Sequence, residues 1–357
     1  MRKFSLKQIG LWVVLLAVTL SGSQCGKPTE PQPLITKTDY PVYFRKDEDA
    51  YGTSTYLYRY RPTTNEVDSI LMPDTFNFFE VKPGEKQIFL HSNGKTEVYD
   101  IETQQIISVL PYFGRMSCSP DSQLIAISDG TELNIIDADN YSLIYHDTTD
   151  VARAVFTRDN KKLFCFNSTT PNLIILDREN NFSKTEKQID VLAGRPIPSY
   201  DGQKLFFLNY FNWDATAFEV YDFSVDSIIF INVHSPGHGL MTISPDGKFV
   251  FFTNPGTMMV GTFPPPYYNA YDVDKNELLE ISTLNFPGTE NDSIKGMIAQ
   301  EVAVTSDGKW VTTVGLGGYI TAAEIETMTI VKSRMVERRA DLWWWWNLTS
   351  SVLPPQL

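Results

Sequence analysis

Three arginines recur at one spacing. Arg115, Arg153 and Arg195 each stand six residues before an aspartate, at Asp121, Asp159 and Asp201. A guanidinium is a planar fork of N–H donors that fits a carboxylate or phosphate two bonds at a time. Three of them at one level of a fold would gather positive charge on a chain whose formal charge is −13. The competing reading is structural: each arginine pairs with a nearby acid, such as Asp129 or Asp150, and ties neighbouring segments together. The equivalent positions elsewhere carry Phe78, Leu240 and Glu301.

Other side chains offer weaker chemistry. His234 and His238 are four apart, a metal-binding spacing on a helix, but Pro236 and Gly237 between them make a turn, and no third ligand stands out. A polar loop explains them more simply. The segment Asn209–Asp214 puts Tyr210 and Trp213 in an aromatic loop, and Thr262–Tyr268 forms a second. Exposed Trp and Tyr serve as anchors for proteins and as stacking platforms for sugars. Catalytic signatures are missing: there is no Gly-x-Ser-x-Gly elbow, no zincin motif and no Cys-x-x-Cys-His haem attachment. Gly315–Tyr319 is glycine-rich but leads from strand to strand, so it is not a phosphate loop. No cofactor is called for. The acidic balance argues against nucleic acid, which needs a dense Lys/Arg surface.

The elements that position these residues come from a repeat. Ser119-Pro-Asp121, Thr157-Arg-Asp159, Ser199-Tyr-Asp201, Ser244-Pro-Asp246-Gly-Lys and Thr305-Ser-Asp307-Gly-Lys each precede an apolar run, and Lys82-Pro-Gly84 is a degenerate copy. Each reads as strand, tight turn, strand. A second phrase follows: Tyr99-Asp100, Ile136-Asp137, Leu176-Asp177, Tyr221-Asp222, Tyr271-Asp272 and, weakly, Ala323-Glu324. Four strands in each period of roughly 40 to 50 residues is the pattern of propeller blades. Stacked radially, each sheet buries its faces against its neighbours. Seven copies fit, at about 42–72, 76–110, 113–147, 151–190, 194–230, 238–281 and 298–334, with six blades as the alternative. The first copy lacks its opening strand, and the extra chain at Ala340–Ser351 is expected to supply it. The run Trp343–Trp346 within that tail is awkward in a tight inner strand, so a greasy docking tail stays open.

These phrases resemble the YVTN-type, WD-repeat-like β-propellers of bacteria over nearly all of residues 42–334. The resemblance implies an all-β, seven-bladed propeller, and secreted or surface binding proteins as the common role. Its motif is scaffold and carries no chemistry of its own.

The chain opens with a basic Arg2, Lys3 and Lys7 and the apolar run Leu11–Leu20, the layout of a secretory signal. Leu20-Ser-Gly-Ser-Gln-Cys25 resembles the lipobox of bacterial lipoproteins, although Gly22 and Gln24 depart from its preferred residues. The reading is therefore a signal at 1–24, lipidation at Cys25, a Pro-rich tether at 25–39, a propeller at 40–351 and a tail at 352–357. An ordinary cleaved signal with a coincidental cysteine is the alternative. Cys118 and Cys165 lie in strand patterns and read as buried thiols.

Together these point to an exported protein, lipid-anchored in the cell envelope at the outer membrane or in the periplasm. It would bind a protein or an anionic small molecule or glycan without catalysis. The alternative is a hydrolase or lyase acting on an anionic polymer or sugar at the channel mouth. Arg115, Arg153, Arg195, Tyr210, Trp213 and His238 are the candidate binding residues. Palmitate labelling of cells is expected to mark the wild-type chain and to leave Cys25→Ala unmarked; equal labelling of the two excludes lipidation at Cys25.

Overall fold

The computed structural model describes residues 41–46, 54–84, 86–92, 94–167, 172–189, 196–212, 215–233, 241–254, 267–281, 299–315, 319–335 and 346–347. All belong to the compact unit Tyr40–Leu357. The expected signal, tether and tail, with Cys25, lie outside the described residues.

Every described element is a strand, and the strands form a ring of seven four-stranded antiparallel sheets. The first blade holds β1 (Val42–Lys46), β2 (Ser54–Arg61) and β3 (Glu66–Phe76). The second holds β4 (Phe78–Val81), β5 (Gln87–Ser92), β6 (Lys95–Asp100) and β7 (Gln105–Leu110). The third holds β8 (Arg115–Cys118), β9 (Leu124–Ser128), β10 (Leu133–Asp137) and β11 (Leu143–Asp147). In the fourth are β12 (Arg153–Phe156), β13 (Lys162–Phe166), β14 (Asn172–Asp177) and β15 (Ser183–Gln188). The fifth comprises β16 (Ile197–Pro198), β17 (Lys204–Asn212), β18 (Ala215–Asp222) and β19 (Ser227–Val233). The sixth comprises β20 (Met241–Ile243), β21 (Phe249–Asn254), β22 (Tyr267–Asp272) and β23 (Glu277–Ile281). The last has β24 (Ala299–Val304), β25 (Trp310–Gly315), β26 (Tyr319–Glu324) and β27 (Thr329–Met335).

One strand remains. β28 (Trp346–Asn347) pairs antiparallel with β1, through Asn347 opposite Arg45 and Trp346 opposite Lys46. The first blade thus runs β28-β1-β2-β3, with its inner strand drawn from the far end of the sequence. First strands of successive blades touch one another around the ring, from β4 to β8, β12, β16, β20, β24 and β28, so they line the central axis.

The core is divided among the blade junctions, as stacked sheets require. Seven apolar clusters each bridge two neighbouring blades. Between the fifth and sixth blades, Phe218 stacks on Phe206 and on Phe252, with centroids 6.1 and 4.8 Å apart. Val42, Phe44 and Tyr60 of the first blade meet Ala303, Val314, Ile320 and Ala322 of the last, which seals the ring. Cys118 and Cys165 are free and buried in two of these clusters.

The repeated phrase is a hydrogen-bonded lock. In five blades the Ser or Thr hydroxyl donates to the Asp Oδ1 two residues on, at 2.6 to 2.8 Å. The same hydroxyl oxygen accepts the N–H five residues on, at 2.9 to 3.1 Å, where the second strand begins. The Asp Oδ1 also accepts the N–H two residues beyond itself, at 3.0 to 3.1 Å. The fourth turn residue has a left-handed backbone: φ is 65°, 76° and 67° at Gly202, Gly247 and Gly308, and 63° and 61° at Ser122 and Asn160. Glycine takes that conformation without a Cβ clash.

The second phrase works similarly. Asp100 accepts the Thr103 N–H at 2.7 Å, and Asp137 accepts those of Asp139 and Asn140 at 2.9 Å. Backbone N–H donors hold the Asp100 and Asp137 carboxyls below their ordinary value of 3.8. Asn180, Ser224 and Lys275 side chains do the same first for Asp177, Asp222 and Asp272. A carboxyl whose folded value is depressed adds stability above its unfolded value, and that stability is lost as pH falls through the folded one. The thermal midpoint should therefore stay level from about pH 7 to about 5 and fall steeply below about pH 4. A midpoint that held at lower pH would remove these turns as the source of acid sensitivity.

Candidate functional site

In five blades the first strand runs towards the Ser/Thr-Asp turn, and in the second towards Lys82-Pro-Gly84, so strand-opening residues gather on the opposite face. Phe78, Arg115 and Arg153 open β4, β8 and β12 and pair with His91, Ser128 and Phe166 on the second strands. They stand at one level in three consecutive blades. Met116 and Cys118 enter the cluster with the second blade, and Ala154 and Phe156 the cluster with the third. Alternation along a strand sends Arg115 and Arg153 to the other side of their sheets. Arg115 is exposed and Arg153 half-buried. The Asp129 carboxylate, one suggested partner, accepts from the Thr131 N–H at 2.7 Å, its hydroxyl at 2.8 Å and the Glu132 N–H at 3.0 Å, which caps its own turn.

The remaining expected residues fare differently. Arg195, Trp213 and His238 lie outside the described residues. Tyr210 is placed by its backbone within β17, opposite Thr216. The segment read as a loop at 209–214 is strand as far as Asn212: β17 continues to Asn212 and β18 starts at Ala215, with a register shift between Tyr210 and Asn212. The two arms go on pairing beyond the length of the sister hairpins, Asn209 opposite Ala217, Tyr210 opposite Thr216 and Asn212 opposite Ala215. Tyr267 and Tyr268 likewise open β22, although they read as loop.

Several residues at this mouth carried no sequence signal. Arg45 is 2% exposed, and its guanidinium carbon lies 5.8 Å from the Phe78 ring centre, a cation–π arrangement. It reaches the mouth because β1 sits second in its blade, beside β28. His91 is also buried, at 5% exposed. Its ring centre lies 5.9 Å from Phe78 and 4.2 Å from Phe113. Burial pushes the imidazole below its ordinary value, which keeps it neutral at physiological pH. Phe78 and Phe113 themselves are exposed at 39% and 45%. The mouth therefore combines guanidinium charge with open aromatic faces, a surface suited to an anion that carries an apolar part. Among the described residues, no group of three His, Cys, Asp or Glu gathers to hold a metal ion.

A further cation sits on the turn face. Arg158, within the Thr157–Asn160 turn, has its Nη1 closed off without a hydrogen-bond partner. Burial lowers it to about 10, against the opposing pull of the Glu80 carboxylate.

No family model and no curated protein matches the sequence. Solved structures do match. A putative 6-phosphogluconolactonase from Bacteroides fragilis is 13% identical with a TM-score of 0.57, over 86% of this chain and 98% of that one. Kuenenia stuttgartiensis hydrazine synthase is 13% identical with a TM-score of 0.55, over 70% and 76%. The Cps50 (Swd1) β-propeller domain of Myceliophteria thermophila is 9% identical with a TM-score of 0.56, over 73% and 85%. At such identities the likeness is one of fold, shared by proteins with unrelated names.

One glycine fixes the approach to this mouth. Gly114, just before Arg115, has φ +138°, and a Cβ there would stand 2.1 Å from the Ser128 carbonyl oxygen. Gly94 has φ +78° with nothing within 4 Å. Gly114→Ala should therefore lose about 2 to 4 kcal/mol of stability, and Gly94→Ala about 1. Chemical denaturation compares them; equal losses would refute the close approach at Gly114.

Proposed function

We propose that this chain is a binding propeller of the bacterial cell envelope. It is tethered through lipid on Cys25 and takes an anionic ligand at the mouth that carries Arg115 and Arg153. The observation that carries this reading is their shared level: two guanidinium groups open adjacent inner strands on one face, on an otherwise acidic chain. Arg45 lies over Phe78 at the same mouth, and Arg195 stands at the same offset in the sequence. Arginines at a rigid rim can bind carboxylate or phosphate without catalysing anything. The exported, lipid-anchored setting rests on the leader and the Cys25 context. The YVTN-type resemblance of the repeats fits the same role.

His91 at the same mouth keeps a second reading in play, a hydrolase or lyase acting on an anionic polymer, because an imidazole can move a proton. That reading requires product formation on incubation; binding alone does not.

Calorimetry with citrate tests the binding site. The wild-type propeller should bind, and Arg115→Ala/Arg153→Ala/Arg195→Ala should bind at least about tenfold more weakly, the loss of one or more charge-assisted contacts. Equal affinity in the two proteins removes the arginine site.

A further inference from the structure

The junction between the second and third blades holds polar atoms that the sheet itself leaves unused. His91 on β5 faces Thr96 on β6 across the ladder, and Phe78 on β4 faces His91. These three share one side of the sheet with Phe89 and Val98, which pack against the third blade. Thr96 is 0% exposed and His91 5%. The Thr96 hydroxyl and the His91 Nδ1 are both buried and have no hydrogen-bond partner. A buried polar atom left unpaired costs about 1 to 3 kcal/mol. Two of them side by side, at the top of an apolar cluster, describe a place that an outside hydrogen-bonding group would complete.

Phe113 closes this place. It lies on the β7–β8 connection, outside any ladder, with its ring 4.2 Å from that of His91 and 45% of its surface exposed. It can turn to another rotamer without breaking a sheet hydrogen bond. Gly114 and Arg115 follow it directly, so the aromatic gate and the cationic rim are one continuous segment. Phe78 forms the inner wall, under the Arg45 guanidinium.

We infer that this junction is a subsite for a sugar acid, whose apolar ring face stacks on Phe113 and Phe78 while its hydroxyls complete His91 and Thr96 and its carboxylate meets the Arg45 guanidinium that lies over Phe78. This deepens the proposed anion-binding function and rests on it. A sugar acid has all three features that this junction calls for: an apolar face of C–H bonds, hydroxyls that both donate and accept, and a negative charge. A simple carboxylate has only the last.

Calorimetry with D-galacturonate, tri-galacturonate, D-galactose and citrate separates the parts. Galacturonate should bind more tightly than either galactose or citrate. Thr96→Val keeps the side-chain shape and removes the hydroxyl. It should weaken galacturonate about tenfold and leave citrate unchanged. Phe113→Ala, at an exposed position, should weaken galacturonate comparably and also spare citrate. Tighter binding of the trimer than the monomer assigns the ligand to a polymer; equal binding assigns it to a free sugar acid. Without ligand, Thr96→Val should melt no lower than the wild type, because it deletes an unpaired hydroxyl. If citrate binds and galacturonate binds no better, the subsite is refuted while the anion site stands. If neither binds, both fall. If Thr96→Val leaves galacturonate affinity intact, the unpaired atoms hold only a trapped water, and the inference is overturned.

Discussion

A hydroxyl and a carboxylate two residues apart hold this molecule in order. In five blades the Ser or Thr hydroxyl bonds the Asp, and between them they take the N–H groups that would otherwise be orphaned where one strand turns into the next. That lock sets the hairpin between the two inner strands, hence the register of the sheet and the direction in which every side chain points. A slip of one residue would exchange the apolar faces for the polar ones and destroy both adjoining junctions. The locks are also linked from blade to blade: the Asp121 N–H donates to Asn160 at 3.0 Å, and the Asp159 N–H donates to the Tyr200 carbonyl at 3.1 Å. Arg178 reaches from the fourth blade to the Asp121 carboxylate at 2.6 Å.

This explains which parts of the molecule were legible before any coordinates. The lock is local, so Ser244-Pro-Asp246-Gly-Lys announces a turn and two strands wherever it occurs, and its repetition announces the ring. The level of Arg115 and Arg153 was legible for the same reason, since a fixed offset from the lock is a fixed place on a strand. What escaped depends on partners distant in sequence. Tyr210 was read as loop because nothing near it tells how far two arms will go on pairing. His91 and Thr96 look like ordinary strand residues; only their facing across β5 and β6, with Phe113 above, makes them distinctive. Arg45 is more remote still, because its place at the mouth depends on a strand from the other end of the propeller.

The two faces divide the work. The turn face is crowded with hydroxyl–carboxylate locks and ion pairs that hold neighbouring blades. The opposite face carries Arg115, Phe78 and Phe113 at its rim, all of them exposed. Binding chemistry placed there can vary without disturbing the locks, which lie at the far ends of the same strands.

Closure through β28 has a consequence for how the ring comes to exist. The first blade borrows its innermost strand from residues that follow the last blade in sequence, so the other six sheets are complete without it while β1 alone would show an open edge. An open edge is a template for any passing strand. The pairing of β28 with β1 therefore ties closure of the ring to a segment that follows every other blade in the sequence.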